Sequence, residues 1–270
     1  MSDAIPALFI DALKLAHASW RPVLRSGLAA VAKTHPAYLP ELAADTFLPS
    51  EGRIFAAFAQ PLESVRYVLV GEGPYPRAES ATGYCFMDGA VNALWSEQGL
   101  SKQVNRATSL RNFLKMLLVA DGHLKKGRTS GAAMEPIAAQ ANAPDSPWIQ
   151  TRAELQDKLL GQGFLLLNAA LVFRPHVPPL KEARAWQPLL QAVLAALADH
   201  ANAHTDALPV LVLWGKAAEL LSALPANALF PRIVSEHPYN LSFIDHTGMQ
   251  ELFGAMQLLQ RADTDSSHVK

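Results

Sequence analysis

Short runs of apolar residues recur along the chain, and each run ends at a turn or a polar residue. They are Val65–Val70, Phe164–Leu167, Val210–Trp214 and Arg232–Val234. Continuous apolar runs of this length are typical of strands buried on both faces, as in a parallel sheet. Segments with helical spacing alternate with these runs, most clearly Ser109–Ala120, Arg152–Leu160, Ala183–Ala198 and Lys216–Leu224. The alternation predicts an α/β fold, a three-layer αβα sandwich with a central, mainly four-stranded parallel sheet.

One segment interrupts this alternation. Residues 121–147 have little periodicity and are rich in Gly, Pro, Ser and Lys, which predicts a long loop or insertion. The apolar runs on both sides of it need one another to complete a sheet. We therefore expect residues 1–270 to form a single domain.

Composition narrows the class of protein further. Half of the 270 residues are hydrophobic and 17% are charged, so the chain can fill a core and is not of the disordered class. The net charge of −1 provides no overall basic field for nucleic acid. Any polyanion must be bound by a local patch, for which Lys102, Arg106 and Arg111 beside Ser109 are candidates.

The cysteine and histidine content argues against a metal centre. A single cysteine, Cys85, excludes an internal disulfide framework, a multi-cysteine zinc site and a cysteine-ligated iron–sulfur cluster. His200 and His204 are spaced as on a metal-binding helix, but no third ligand lies nearby in the sequence, which favours a solvated helix end. Without an apolar run of about 18 residues, no membrane span is expected. These features predict a cytoplasmic protein with no metal and no cofactor.

The candidate chemistry lies just after the predicted strands, where open α/β sheets bind their ligands. The side chains at this edge are Glu72, Tyr75, Phe86, Asn168, His237 and Ser242. An amide, flat aromatic rings and an imidazole suit a heterocyclic base, because the amide matches a base edge and a ring can stack on it. The alternative is structural: Tyr75 and Phe86 as core residues, Asn168 as a turn cap and His237 as an ordinary loop histidine.

Five segments in this order resemble family-1 uracil-DNA glycosylases. GEGPYPRAESATGYCF aligns without a gap with that family's GQDPYHGPGQAHGLAF, and TSLRNFLKML resembles its PSLxN segment. GFLLLNAAL matches the LLLN strand, LWG fits a later strand end, and HPYNLSF resembles HPSPLSA. The segments extend from about residue 65 to residue 260.

The resemblance implies a base pocket. Asn168 would read the uracil edge, Phe86 would stack on the flipped base, and Tyr75 would exclude the 5-methyl group of thymine. His237 would stabilise the departing base anion. The implied reaction is the removal of a deaminated base, above all uracil, from DNA by hydrolysis of its N-glycosidic bond in base-excision repair.

The resemblance also implies contacts with DNA. Leu241 would fill the gap left by the flipped base, and Ser109 and Ser242 would contact phosphates. The expected partner is DNA with a damaged base, and the protein is expected to act as a monomer without membrane or metal.

The chain departs from the family pattern at the catalytic turn. Gly73 replaces the usual aspartate, Pro76 replaces a histidine, and Tyr239 and Asn240 replace the Ser-Pro of HPSP. Loss of a positioned acid or base typically reduces a rate by about 10²–10⁴. Glu72 is then a candidate to orient water, as in related families whose motif begins GEAP or GEGP. The alternative function is a catalytically silent DNA- or base-binding homologue.

Overall fold

The computed structural model of the protein describes residues 5–222 and 224–261. Its strands are β1 (Tyr67–Gly71), β2 (Trp95–Ser96), β3 (Gly99–Leu100), β4 (Phe164–Asn168), β5 (Val210–Trp214) and β6 (Arg232–Ser235). Its α-helices are α1 (Ala7–Ala12), α2 (Arg21–Thr34), α3 (Tyr38–Ala43), α4 (Lys102–Arg106), α5 (Thr108–Ala120), α6 (Gly131–Ala141), α7 (Arg152–Gly161), α8 (Pro179–His204), α9 (Ala217–Ser222) and α10 (Thr247–Gly254). Short 3-10 helices occupy Leu13–Leu15, Ala18–Trp20, Arg53–Phe58, Leu62–Ser64, Pro225–Leu229 and Leu241–Asp245.

Four of these strands form the main sheet, in the order β4-β1-β5-β6. Strand β1 runs parallel to both β4 and β5, and its last residue, Gly71, pairs with Asn168 at the end of β4. The predicted three-layer α/β fold with a mainly parallel, four-stranded sheet is confirmed. All four strands lie within two residues of the apolar runs that predicted them.

The helices predicted from spacing are also present, and the ends of α5 and α7 differ from the prediction by at most one residue. Helix α8 extends well beyond the predicted Ala183–Ala198 in both directions. The prediction Lys216–Leu224 includes residue 223, which lies outside the described residues, and α9 covers its central part.

The chain packs as two compact units. The sheet unit consists of the described residues of Met1–Gly89 and Gly163–Val234, and the helical unit consists of those of Ala90–Gln162 and Ser235–Lys270. In the sheet unit, α2 packs against α8, where a Cβ on Gly27 would lie 2.9 Å from Leu189 Cγ. That close approach is available only to glycine. The expectation that residues 1–270 form a single domain stays a prediction.

The helical unit is built around α5. One face of α5 is buried, and the helix packs against α10 and the 3-10 helix Leu241–Asp245. The segment 121–147, predicted as a loop or insertion, is partly helical because it contains α6. Its apolar side chains Met134 and Ile137 are buried, while Pro136 and weak amphipathicity conceal the helix in the sequence.

Three further expectations concern membranes and metals. No helix in the described residues has the length and apolar character needed to cross a membrane. The described residues contain no group of three or more His, Cys, Asp or Glu side chains that could hold a metal ion. His200 and His204 stack on each other at the exposed end of α8, with ring centroids 4.2 Å apart.

Candidate functional site

The centre of the sheet-unit site is the carboxyl end of two neighbouring strands. Gly71 ends β1 and lies in register with Asn168, which ends β4. A Cβ on Gly71 would lie 2.8 Å from Asn168 Oδ1 and 2.9 Å from Cys85 Cβ. Glycine is therefore needed here for the amide of Asn168 to occupy its place.

The side chain of Asn168 is buried and incompletely hydrogen-bonded. The residue is 3% exposed, and its Oδ1 atom has no hydrogen-bond partner in the part of the chain that the structure describes. A buried carbonyl oxygen without a partner costs about 1–3 kcal/mol. This oxygen is thus a buried acceptor whose hydrogen bond is not supplied by the described residues.

Phe86 is held in an unusual backbone conformation near the same strand ends. Its φ angle of 65° lies in the left-handed region, which bulky residues rarely adopt. Its ring meets the Trp214 ring edge-on, with centroids 5.1 Å apart at 80°. Strained backbone of this kind concentrates at functional sites. In this conformation the half-buried Phe86 ring lies against Trp214 at the carboxyl end of β5.

Tyr75 is fixed against the same loop. Its hydroxyl donates a hydrogen bond to the Phe86 carbonyl oxygen at 3.3 Å. Burial raises the pKa of this hydroxyl, and the nearby charge of Asp88 raises it further. Tyr75 is therefore neutral, and its hydroxyl is anchored to the Phe86 carbonyl oxygen.

The turn between these groups contains Glu72 and Gly73, both exposed. The Ala170 N–H donates to the Glu72 carbonyl oxygen at 3.0 Å, which fixes the turn against the chain after β4. Gly73 does not have a left-handed φ angle, and a Cβ there would lie 3.5 Å from Ala170 Cβ, an ordinary contact. This position accepts a side chain.

In the helical unit, His237 lies in a tight turn. The Asn240 N–H donates to the His237 carbonyl oxygen at 2.9 Å, and the Tyr239 N–H donates to His237 Nδ1 at 3.1 Å. A backbone N–H can only donate, so Nδ1 must be the unprotonated nitrogen. The neutral ring therefore carries its proton on Nε2.

Asn112 on α5 holds this turn in place. Its Nδ2 atom lies 2.7 Å from the Pro238 carbonyl oxygen, 3.2 Å from that of Tyr239 and 3.3 Å from that of Asn240. Its Oδ1 accepts a hydrogen bond from Arg111 Nε at 3.2 Å, and the residue is fully buried. The sequence analysis included Asn112 only within the segment TSLRNFLKML and assigned it no role. A polar residue on the apolar face of a predicted helix was the pattern that could have indicated this role.

The other predicted residues of the helical unit lie around this turn or on α5. Leu241 is 68% exposed and Ser242 is also exposed, both in the 3-10 helix Leu241–Asp245. Ser109 is half-buried in the first turn of α5. Each unit thus brings its own predicted residues together: Asn168, Tyr75 and Phe86 in one, and the turn after His237 in the other.

The sequence of this chain is similar to those of known proteins. No model of a known protein family matches the sequence. The uracil-DNA glycosylase of Corynebacterium glutamicum is 29% identical over 237 residues, covering 86% of this chain and 83% of that one. Uracil-DNA glycosylase 1 of Streptomyces avermitilis is 27% identical over 231 residues, covering 85% and 83%.

A solved structure is more similar. The crystal structure of the wild-type UNG of Nitratifractor salsuginis is 36% identical, covers 95% of this chain and 98% of that one, and superposes with a TM-score of 0.83. Mimivirus uracil-DNA glycosylase, at 17% identity and a TM-score of 0.51, shares the fold. The fold and these similarities define an α/β protein of the DNA-glycosylase class. The chain belongs to the uracil-DNA glycosylase superfamily.

Proposed function

We propose that this protein flips a deaminated base, uracil above all, out of DNA and hydrolyses its N-glycosidic bond. The observation that carries the proposal is the buried, unpartnered Oδ1 of Asn168. Uracil offers an N–H donor on its pairing edge beside a carbonyl acceptor. An asparagine amide complements both groups, because it presents one acceptor and two donors. The unmet hydrogen bond of Asn168 would be completed by this base.

Two aromatic side chains complete the proposed base pocket. The Phe86 ring, fixed by its backbone and by Trp214, would stack on the flipped base. Tyr75, held neutral and anchored to the Phe86 carbonyl, would block the 5-methyl group that distinguishes thymine from uracil. A rigid wall can exclude a methyl group, whereas a mobile side chain would move aside.

His237 would stabilise the leaving base. When the bond between the base and the sugar C1′ breaks, the electron pair goes to the base and negative charge develops on its O2. The Nε2–H of neutral His237 is a donor suited to that oxygen, because the Tyr239 N–H occupies Nδ1. Preorganised donors at a developing anion typically contribute a factor of about 10²–10³ in rate.

The attack by water is the step for which this chain has fewer suitable side chains. A water oxygen bonds to C1′ of the sugar cation and its proton must be accepted. Gly73 provides no carboxylate for this step, and exposed Glu72 is the proposed group that orients the water. Leu241 would fill the gap in the duplex, and Ser109 and Ser242 would bind phosphates. We therefore expect slow excision driven mainly by leaving-group stabilisation.

A second function is favoured by Gly73 itself. Without an acid at this turn, the chain could bind uracil-containing DNA and leave the bond intact. The intact reading group, Asn168, is compatible with this silent homologue. The two functions differ only in whether the N-glycosidic bond is cleaved.

A glycosylase assay separates them. Duplex and single-stranded oligonucleotides with a single uracil, hypoxanthine or xanthine are incubated with the protein and then cleaved with alkali. We expect strand cleavage at uracil that is lost in Asn168→Ala and strongly reduced in His237→Ala. Retained, uracil-dependent binding without cleavage would establish the silent homologue. Absence of both binding and cleavage would refute the two functions together.

A further inference from the structure

We propose that Tyr239 is a second DNA-inserting side chain, which stacks on the base next to the gap that Leu241 fills; this rests on the proposed function. Tyr239 is 67% exposed and Leu241 is 68% exposed. Among the described residues of the helical unit, they are the only large hydrophobic side chains with this degree of exposure. Single exposed apolar side chains are common, so it is the placement of both on one turn, two residues apart, that marks a candidate contact surface.

The backbone beneath these two side chains is rigid. Asn112 Nδ2 lies within hydrogen-bonding distance of the carbonyl oxygens of Pro238, Tyr239 and Asn240, and the Tyr239 N–H is bound to His237 Nδ1. Both main-chain polar groups of Tyr239 are thus satisfied within the unit. Its exposure is a property of an anchored turn and not of a loose loop.

The spacing of the two residues fits stacked bases. Two residues of extended chain span at most about 7 Å. Successive bases in a DNA strand are separated by about 3.4 Å along the helix axis. The separation of positions 239 and 241 therefore corresponds to at most about two base steps. Apolar wedges inserted between base steps are a known means of holding a distorted duplex open.

Basic side chains in the helical unit favour DNA as the partner of the surface formed by Tyr239 and Leu241. Arg111 binds the side chain that anchors the turn, and Lys102 and Arg106 are exposed on α4, in the same unit. Of the nearby acidic groups, Glu236 lies 4.0 Å from His246 Nε2, and Asp245 Oδ1 is buried. An aromatic ring also suits bases in particular, because every base has a face on which it can stack.

The test compares Tyr239→Ala and Tyr239→Phe with the wild type on duplex and single-stranded uracil substrates. We expect Tyr239→Ala to reduce kcat/KM on the duplex about tenfold, the cost of losing one stacked base. The loss on a single strand should be much smaller, because no stacked duplex has to be held open. Tyr239→Phe keeps the ring and should retain the duplex activity. Leu229→Ala, at an exposed leucine of the sheet unit, is the matched control.

A second readout does not require catalysis. A duplex that carries an uncleavable 2′-fluorinated deoxyuridine beside 2-aminopurine reports unstacking by fluorescence, and Tyr239→Ala should weaken both the signal and the affinity. Equal losses on duplex and single strand would overturn the proposal and assign Tyr239 to support of the His237 turn. No change in either readout would also overturn it, because Tyr239 would then make no contact that matters for binding the duplex. If the wild type excises nothing, the proposed function fails, while the fluorescence arm still tests Tyr239.

Discussion

The two units position their chemical groups by different physical means. In the sheet unit, Asn168 is fixed by strand register, because β4 is buried along its whole length and paired residue by residue with β1. In the helical unit, the His237 turn has local hydrogen bonds to His237, and one buried side chain, that of Asn112, connects it to α5. The first arrangement is maintained by the whole core. The second can be disrupted by one substitution.

This difference extends to how well each site is satisfied without a ligand. The side-chain oxygen of Asn168 has no hydrogen-bond partner in the described residues, so the sheet unit has one buried acceptor that is not satisfied. The helical turn has its main-chain groups paired already and exposes Tyr239 and Leu241 instead. The sheet unit thus contains a buried polar atom without a hydrogen-bond partner, and the helical unit contains apolar side chains that no described residue covers. Both deficits would be relieved by DNA with a flipped base.

Asn168→Ala should produce the largest loss of activity. Because Oδ1 has no partner in the described residues, its removal leaves no protein group unpaired. We expect kcat/KM for uracil excision to fall at least about 10²-fold, as for loss of one preorganised polar group. Because the substitution also removes Nδ2 and leaves a small cavity, the thermal midpoint should fall only slightly. A marked fall in the midpoint would show that Asn168 is a structural residue.

Asn112→Ala should behave in the opposite way and impair stability together with activity. It leaves the carbonyl oxygen of buried Pro238 without its donor, which costs about 1–3 kcal/mol in the free energy of unfolding, measured in urea. Misplacement of His237 should also reduce kcat at least about tenfold, since small displacements at a reacting centre are costly.

A double-mutant cycle isolates this second effect. In a His237→Ala background, Asn112→Ala should reduce kcat much less than in the wild type, because the positioned group is already absent. Its effect on unfolding should remain the same. Full additivity of the two rate effects would refute the positioning role of Asn112.

The contrast also explains what the sequence could predict. Strands β1, β4 and β5 were predictable because buried parallel strands are continuous apolar runs, and their ends identified Asn168. The Asn112 contacts were not predictable, because they join residues more than 120 positions apart in the chain. Helix α6 was missed because its buried face is short and because Pro136 lies inside the helix. The left-handed conformation of Phe86 also has no local sequence signal, since glycine is the usual residue there.

Gly73→Asp tests whether the sheet unit lacks only its acid. The position has an ordinary φ angle and room for a Cβ, so the fold should accept the change. We expect kcat for uracil excision to rise about tenfold or more, as a positioned acid or base provides. Gly73→Asn has the same shape without the charge and should give no gain. Equal effects of Asp and Asn would mean that the turn geometry, and not the carboxylate, limits the rate.

Asp121→Asn should produce the smallest effect, confined to the stability of the helical unit. Burial raises the pKa of Asp121 from 3.8 to about 6, and neither carboxylate oxygen has a hydrogen-bond partner in the described residues. The folded state therefore binds this proton more tightly than the unfolded state, so stability falls as pH rises through about 4 to 6. Asparagine mimics the protonated acid and should stabilise the protein by about 1 kcal/mol at pH 8, a value reduced for partial solvent screening. Urea unfolding at pH 8 and at pH 4 measures this, with excision activity as the control that should not change. A stabilisation that persists undiminished at pH 4 would show that the gain comes from packing and not from the charge.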